Sequence, residues 1–240
     1  MADKKVMLFS GGMDSYCMLQ VVKPDVILFF NLGTDDNKEE LKNLYKMPIF
    51  EKVKIVDLNL QEWEMGHKII PHRNAILALI AGNYGNQIYL GATAGDTTKD
   101  KDYVFKSQIE GMLNYFAIDS HKVIEKAYPF TLNMPFKGMT KAEILELFIK
   151  EKGDVKGLLK YSRSCYSGND KECGECRSCV RKAIALVLND IDYTSFFKYD
   201  PFEHISKSDE EKLLSRPAEA KDYLNALAKI KMWKDEKDDN

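Results

Sequence analysis

Short apolar runs alternate with longer stretches of mixed apolar and polar residues along residues 5–152. The apolar runs have the length and composition of strands, and they cover residues 6–9, 26–31, 53–58 and 87–90. Run 26–31 is apolar at almost every position, which indicates a strand buried on both faces of a sheet. The other stretches predict helices over residues 16–22, 38–45, 73–84, 107–116 and 141–152. Strands separated by helices predict an α/β fold, with a parallel sheet, right-handed crossovers and flanking helices.

The ends of the predicted strands indicate where a ligand would bind. In a parallel sheet the carboxyl ends of the strands meet at one edge, and ligands bind in the crevice beyond that edge. The loops that begin at Ser10, Asn31, Leu58 and Gly91 should therefore lie close together.

Further helix signals follow the last predicted strand. Thr140 and Glu143 have the spacing of a capping box, another helix should start near Val180, and residues 219–233 have an amphipathic pattern. Residues 206–212 are polar and charged, and the last residues of the chain should fray. We expect the C-terminal part to pack on the core or on a partner subunit, without a catalytic role. The predicted parts are an α/β domain over 1–160, a segment with its following helix over 161–195, and a helical C-terminal extension over 196–240.

Composition and charge narrow the class of protein. The chain has 240 residues, 45% of them hydrophobic, and a formal net charge of −2. That balance gives no support for broad binding to nucleic acid or to anionic membranes. No apolar run approaches the roughly 18 residues of a membrane span, and the N-terminus does not have the pattern of a signal peptide. We therefore expect a cytoplasmic protein without direct nucleic-acid or membrane partners.

Residues 9–15 read Phe-Ser-Gly-Gly-Met-Asp-Ser and join the first predicted strand to the first predicted helix. Two glycines let a phosphate approach the backbone, and the helix start offers unpaired N–H groups and a positive dipole end. Ser10 and Ser15 add hydroxyl donors, and Asp14 suits a Mg²⁺ ion lying between its carboxylate and the phosphate oxygens. The loop lacks the Lys-Ser/Thr ending of a Walker A motif. A turn that only joins strand to helix is the alternative.

Cysteines cluster near the C-terminal end of the predicted sheet domain. Of five cysteines, four follow the spacing Cys-x7-Cys-x2-Cys-x2-Cys, at Cys165, Cys173, Cys176 and Cys179. In a reducing compartment such a cluster binds metal more often than it forms disulfides. Four thiolates predict a closed, structural Zn²⁺ site, with an iron–sulfur cluster or four unconnected thiols as alternatives. Cys17 stands apart, and we expect it to be a buried core thiol.

Two motifs together point to one family. Ser-Gly-Gly-Met-Asp-Ser at 10–15 resembles the PP-loop of the ATP pyrophosphatases, which have the adenine nucleotide alpha-hydrolase type of fold. Combined with Ser-Cys-Tyr-Ser-Gly at 164–168 and the cysteine block 173–183, it resembles the 7-cyano-7-deazaguanine synthase family of QueC type. Pro-His-Arg-Asn at 71–74 is similar to that family's Pro-Gly-Arg-Asn, with His72 in the place of the glycine. Gly91 to Asp96 occupies the place of its Gly-x-x-x-x-Asp loop, and the resemblance covers residues 5–190.

The resemblance implies an ATP-dependent ligase of queuosine biosynthesis. It would convert 7-carboxy-7-deazaguanine and ammonia to the nitrile through an adenylated acid and an amide, releasing AMP and pyrophosphate. It implies Mg²⁺ with ATP, a structural Zn²⁺ and a homodimer.

The resemblance also assigns residues. The ATP-binding residues would be Phe9, Ser10, Gly11, Gly12, Met13, Asp14, Ser15, Leu19, Asn31 and Leu32. The substrate-binding residues would be Arg73, Asn74, Asp96, Arg163 and Tyr166, and Asp14, Arg73 and Asp96 would be catalytic. Arg73 would clamp a phosphate or the substrate carboxylate, with a surface salt bridge as the alternative. Asp96 would contact Mg²⁺ or the substrate base, with a solvated carboxylate as the alternative. Lys99 and Lys101 are either phosphate-binding cations or a solvated charge run.

Other functions remain open from the sequence. His72 and the loop 96–105 depart from the family pattern, so the acceptor would be a related deazapurine or another carboxylate in a diverged member. A tRNA sulfurtransferase of the PP-loop class would need a catalytic cysteine pair and a basic face. A zinc-ribbon binding module without catalysis would not need the intact loop at residues 10–15.

Overall fold

The computed structural model describes residues 3–121, 129–165, 167 and 171–238. The strands are β1 (Lys5–Leu8), β2 (Val26–Asn31), β3 (Val53–Asp57), β4 (Gln87–Tyr89) and β5 (Thr131–Asn133). The helices are α1 (Met13–Val22), α2 (Asp35–Leu44), α3 (Arg73–Ala81), α4 (Tyr103–His121), α5 (Lys141–Lys150), α6 (Val155–Tyr161), α7 (Arg177–Leu188), α8 (Pro201–His204), α9 (Lys207–Leu214) and α10 (Pro217–Asp238). Within those residues no helix combines the length and the apolar composition needed to cross a bilayer.

The chain divides into two compact units. The first unit comprises Met1–Ala92 and Asp96–Lys137, and the second comprises Thr93–Gly95 and Gly138–Asn240. The first contains the sheet and the glycine loop, and the second contains the four clustered cysteines and the C-terminal helices. The three functional parts expected from the sequence stay a prediction.

The five strands form one sheet in the order β3-β2-β1-β4-β5, and every neighbouring pair is parallel. The predicted α/β class with a parallel sheet is therefore confirmed. Strand β1 is central, with β2 and β3 on one side and β4 and β5 on the other, so the direction of strand addition reverses next to β1. A reversal of this kind opens a crevice at the carboxyl ends of the strands, where ligands bind in open α/β sheets.

The core of the first unit lies on the sheet. Strand β2 is buried at four consecutive positions, as the apolar run predicted, and Leu28 is fully enclosed. Val6, Ile88 and Leu132 lie in the same apolar cluster, against Ala78 of α3. Strand β5 contains only three residues, Thr-Leu-Asn, so it has no apolar run of its own. Its register with β4, in which Leu132 pairs with Ile88, is what makes it a strand.

The second unit is built around α7, which packs against α5 and α10 and is buried along most of its length. The capping box at the start of α5 is confirmed, since Thr140 N–H donates to Glu143 Oε2 at 2.8 Å and Glu143 N–H to Thr140 Oγ1 at 3.3 Å. Helix α10 is longer than predicted. Polar residues 207–214 form α9, whose start is capped by Ser206.

Candidate active site and metal centre

The loop after β1 is held as a tight glycine turn. Phe9 N–H donates to Leu28 O at 2.8 Å, which ties the loop to β2. Gly11 has a φ of +77°, in the left-handed region that favours glycine. A Cβ atom added at Gly11 would lie 3.3 Å from Met47 Cε, so a side chain there would be both strained and crowded. The turn brings the chain directly into α1.

The start of α1 collects donors at the end of the central strand. Its N-cap is Gly12, which makes no side-chain capping hydrogen bond. Ser15 Oγ donates to Gly12 O at 2.9 Å, and Ser10 Oγ lies 3.3 Å from Ser15 Oγ. Asp14 is in the first turn of the helix. Backbone N–H groups, two hydroxyls and a nearby carboxylate are the groups that hold a phosphate together with Mg²⁺. The side chain of Cys17 is fully buried behind them, as expected of a core thiol.

The backbone groups that follow β2 already form hydrogen bonds within the protein. Leu32 N–H donates to Asn37 Oδ1 at 2.6 Å, and Leu32 O accepts from Leu60 N–H at 2.7 Å. Asn31 O accepts from Leu58 N–H at 2.9 Å. An adenine ring bound through Asn31 and Leu32 would have to share these groups, so that role stays a prediction. The side chain of Asn37, which no motif indicated, shapes this loop.

The start of α3 carries a strained residue. His72 is its N-cap, with a φ of +58° and a ψ of 10°, and makes no side-chain capping hydrogen bond. This is the position at which the resembling motif has glycine. Bulky residues rarely adopt such a conformation, since the Cβ crowds the following carbonyl oxygen. Arg73 follows as the first residue of α3. The side chain of Asn74 is buried, and its Nδ2 donates to Asp100 Oδ2 at 2.8 Å.

A cavity of about 940 Å³ brings together three of the predicted substrate residues, Arg73, Asn74 and Asp96. Its size is within the range of small-molecule sites, roughly 300–1,000 Å³. The wall also includes Lys68 and Lys101, which were not predicted substrate residues. The charged side chains on the wall are thus of both signs.

Lys101 and Lys99 have different environments. Lys101 Nζ lies 3.3 Å from Asp96 Oδ2, and both side chains are 22% exposed. The Lys99 side chain is 96% exposed, as in a solvated charge run. Lys137 Nζ donates to Asp96 O at 3.1 Å, which holds the backbone of Asp96 in place. Asp96 is therefore paired and partly buried. Its contact with Lys137 crosses 41 positions of the chain, and no sequence pattern indicates it.

The four clustered cysteines meet in the second unit. Their sulfur atoms all lie within 4.8 Å of one another, with 3.7 Å between Cys173 and Cys179 and 3.4 Å between Cys176 and Cys179. Four sulfurs bound to one Zn²⁺ at about 2.3 Å in a tetrahedron lie roughly 3.8 Å apart. Gly174 makes the turn between ligands with a φ of +82°. The arrangement fits one tetrahedral ion with no open coordination position.

The sulfur atoms are also surrounded by donors. Cys173 N–H donates to Cys165 Sγ, and Glu175 N–H donates to Cys173 Sγ, each at 3.4 Å. Hydrogen bonding from Cys176 holds the pKa of Cys165 well below its usual range, and the same contact raises the pKa of Cys176 to about 12. Hydrogen bonding and then burial raise the pKa of Cys179. A divalent cation bound by the four sulfur atoms would supply the charge that stabilises their thiolate forms.

The remaining predicted substrate residues belong to the second unit. Arg163 is half-buried in the segment between α6 and Cys165. Tyr166 lies outside the described residues, as does Gly168 of the same motif. A shared pocket for Arg163, Tyr166 and Arg73 stays a prediction.

The C-terminal extension holds the loop that follows β4. Glu219 of α10 is buried and pairs with both Arg181 of α7 and Arg216. Arg181 donates to Thr93 Oγ1 at 3.3 Å, and Arg216 donates to Gly95 O at 2.6 Å. A Cβ atom at Gly95 would overlap the ends of the Glu219 and Arg181 side chains, so a larger residue there would displace this ion pair. The extension thus packs on the body of its own unit.

The fold and the first loop together define a class of protein. A parallel sheet whose central strand ends in a Ser-Gly-Gly-Met-Asp-Ser turn at the start of a helix is a nucleotide-binding α/β protein of the PP-loop type. The family model described as "Queuosine biosynthesis protein QueC" matches residues 37–190 of the 240. The chain belongs to this family.

Curated relatives agree with the family match. "7-cyano-7-deazaguanine synthase 1" of Colwellia psychrerythraea is 27% identical over 222 residues, covering 79% of this chain and 96% of the relative. "7-cyano-7-deazaguanine synthase 2" of the same organism is 29% identical over 223 residues, with the same coverage of both chains. The synthase of Methanobrevibacter smithii is 26% identical over 229 residues, covering 80% of this chain and 96% of the relative. No solved structure gives a significant match.

Proposed function

We propose that this protein is an ATP-dependent 7-cyano-7-deazaguanine synthase. ATP adenylates the carboxylate of 7-carboxy-7-deazaguanine and releases pyrophosphate, and ammonia then displaces AMP to give the amide. A second ATP activates the amide oxygen, and loss of that oxygen with AMP leaves the nitrile. The observation that carries the proposal is the Ser10–Ser15 turn at the end of the central strand, in a chain of the QueC family.

We assign the phosphates of ATP to the turn at residues 10–15. The uncapped start of α1 and the paired hydroxyls of Ser10 and Ser15 support this assignment, and Asp14 would orient Mg²⁺. Phe9 and Met13 have buried side chains, so they would contribute through their backbone. Leu19, Asn31 and Leu32 would complete the nucleotide site. The loop needs no covalent nucleophile, because adenylation itself makes the carboxylate oxygen a leaving group.

We assign the deazapurine acid to the cavity at the start of α3. The guanidinium of Arg73 presents a planar pair of donors that matches a carboxylate. The ion pair with Lys101 holds the Asp96 carboxylate, which would accept from the base, while Asn74 would fix the wall through Asp100. Arg163 and Tyr166 would take part in binding the base. Most of the rate enhancement would come from positioning and electrostatic stabilisation.

We propose that Cys165, Cys173, Cys176 and Cys179 hold a structural Zn²⁺. The spacing of their sulfur atoms and the closed ligand set support this choice. When bound, the ion supplies folding energy to its segment instead of reaction chemistry. The second ion, Mg²⁺, would enter with ATP.

We also propose a cytoplasmic homodimer without nucleic-acid partners. Helix α4 supports the dimer, because within the described residues it leaves several apolar side chains exposed. They are Tyr103, Val104, Met112, Tyr115 and Phe116. Sedimentation of the full chain tests this proposal, and Tyr115→Glu should shift a dimer toward monomer.

The function is tested by incubating the protein with ATP, Mg²⁺, ammonium and 7-carboxy-7-deazaguanine. We expect AMP, pyrophosphate and a nitrile product by mass spectrometry. AMP formed only with another acid would favour a diverged ligase, a second candidate that the imidazole of His72 on the cavity wall supports. No AMP with any carboxylate would favour a binding module without catalysis.

A further inference from the structure

The second unit buries a complete ion pair beside the cysteine cluster. Lys182 of α7 is 1% exposed and Glu172 is 6% exposed, and Lys182 Nζ lies 2.6 Å from Glu172 Oε1. Lysine is almost never fully enclosed without a partner. A buried pair is weak evidence for stability, because the loss of hydration of both ions offsets their attraction. Its position in the structure therefore calls for another explanation.

The pair joins the segments that carry the cysteines. Lys182 Nζ donates to Ser162 O at 2.9 Å, and Ser164 N–H donates to Glu172 Oε1 at 3.2 Å, so both charges hold the backbone just before Cys165. Glu172 itself directly precedes Cys173 along the chain.

The second oxygen of the Glu172 carboxylate lies near one of the clustered cysteines, on α7. Glu172 Oε2 lies 3.8 Å from the sulfur of Cys179, which stands three positions before Lys182 on the same helix. The backbone of Glu172 is anchored independently, because Lys198 N–H donates to its carbonyl at 2.8 Å. Without the ammonium of Lys182, a carboxylate this close to a thiolate would be repelled.

We propose that the Glu172–Lys182 ion pair is a positioning device for the metal, an inference that rests on the proposed metal site. The pair gathers the segment before Cys165, the turn at Cys173 and the helix that carries Cys179, and its ammonium offsets the negative charge of the thiolates. Cys165 depends on it most, since the contacts with Ser162 and Ser164 hold its segment, whereas the backbone next to Cys173 is also anchored by Lys198. Outer contacts of this kind typically change metal affinity about 10- to 100-fold.

The test compares metal release from folded variants. The double variant Glu172→Gln with Lys182→Met removes both charges together, so neither ion is left buried alone. The control is Asp190→Asn with Lys229→Met, which removes another ion pair of the second unit, 2.8 Å long and on residues that are not cysteine neighbours. Each protein is loaded with Co²⁺ or Zn²⁺. The thiolate-to-cobalt absorption and the rate of Zn²⁺ transfer to excess chelator are measured beside circular dichroism.

We expect one ion per chain in the wild type and in the control, with slow release. The double variant should keep its helical signal and release Zn²⁺ about 10-fold faster or more. Release at the wild-type rate from the folded double variant would show that the pair is only structural. A wild type that binds no ion would instead overturn the metal site. If the double variant fails to fold, Glu172→Asp keeps both charges, so that neither ion is left buried alone, but its shorter side chain draws the carboxylate away from Ser164. That variant should still accelerate release, and an unchanged rate would overturn the proposal.

Discussion

Replacing His72 with glycine should stabilise the protein. His72 has a φ of +58° at the start of α3, and its side chain is exposed, so its removal costs little packing. The left-handed conformation costs a residue with a Cβ atom roughly 1–2 kcal/mol. Glycine offsets about 0.5–1 kcal/mol of this benefit, because it loses more backbone freedom on folding than other residues do. The net gain should be about 0.5–1 kcal/mol in the free energy of unfolding.

Urea unfolding followed by circular dichroism measures this gain, and in a chain of this size the melting temperature should rise about 1–4 °C. Lys152→Gly is the matched control: Lys152 has a φ of +57°, is exposed and does not line the cavity. It should stabilise to a similar extent without changing AMP release. His72→Ala keeps a Cβ atom in the left-handed conformation, so it should not raise the free energy of unfolding. A lower urea midpoint for His72→Gly, with a raised midpoint for Lys152→Gly, would refute the strain assigned to His72.

Four other changes test separate parts of the structure. Gly11→Ala should weaken ATP binding and lower the free energy of unfolding by at least about 0.5–1 kcal/mol, because its φ is +77° and the reduced backbone freedom of alanine offsets only part of that strain. Gly91→Ala, whose Cβ would meet open space, should leave stability nearly unchanged in urea unfolding. Asp14→Asn should lower AMP release at least about 10-fold with an unchanged circular dichroism spectrum, and full activity would contradict its Mg²⁺ role. Cys176→Ala should lose the metal and lower the melting temperature of the second unit, which metal analysis and calorimetry would check. Burial raises the pKa of Tyr223 from 10.0 to about 12, so its contribution to stability is complete below pH 10 and is lost as the pH rises toward 12. In Tyr223→Phe the free energy of unfolding should fall less steeply between pH 10 and pH 12 than in the wild type. An unchanged dependence on pH would contradict the role assigned to the Tyr223 hydroxyl.

Much of the sheet could be predicted from local pattern. The bounds of β2 match the predicted run, since six apolar-rich residues are long enough to identify by composition alone. Strand β5 was missed because three residues carry no periodicity, and only pairing with β4 defines it. Helix α4 starts four residues before its prediction, where Asp102 accepts from Phe105 N–H at 2.8 Å.

In the second unit, too, some helices carry a local sequence signal and others do not. Helix α9 was missed because its sequence is polar, with Leu213 as its one buried residue. Its start is nonetheless a local signal, since Ser206 accepts from Asp209 N–H at 3.2 Å. Helix α6 is short, and it too was not predicted. Capping residues identify helices that composition conceals.

The sequence by itself determined the features that depend on neighbours along the chain. These are the strand–turn–helix at residues 9–15, the capping box before α5 and the spacing of the last three cysteines. Such features follow from the backbone freedom of glycine and from the fixed periods of strands and helices.

Only the tertiary structure decided which distant groups meet. It paired Asn74 with Asp100 and Lys182 with Glu172, and it set Glu219 of the extension against Arg181. These three contacts join separate segments of the chain, and no local period encodes them. Their partners are chosen by the packing that removes both groups from water, because a buried polar group left without a partner is costly.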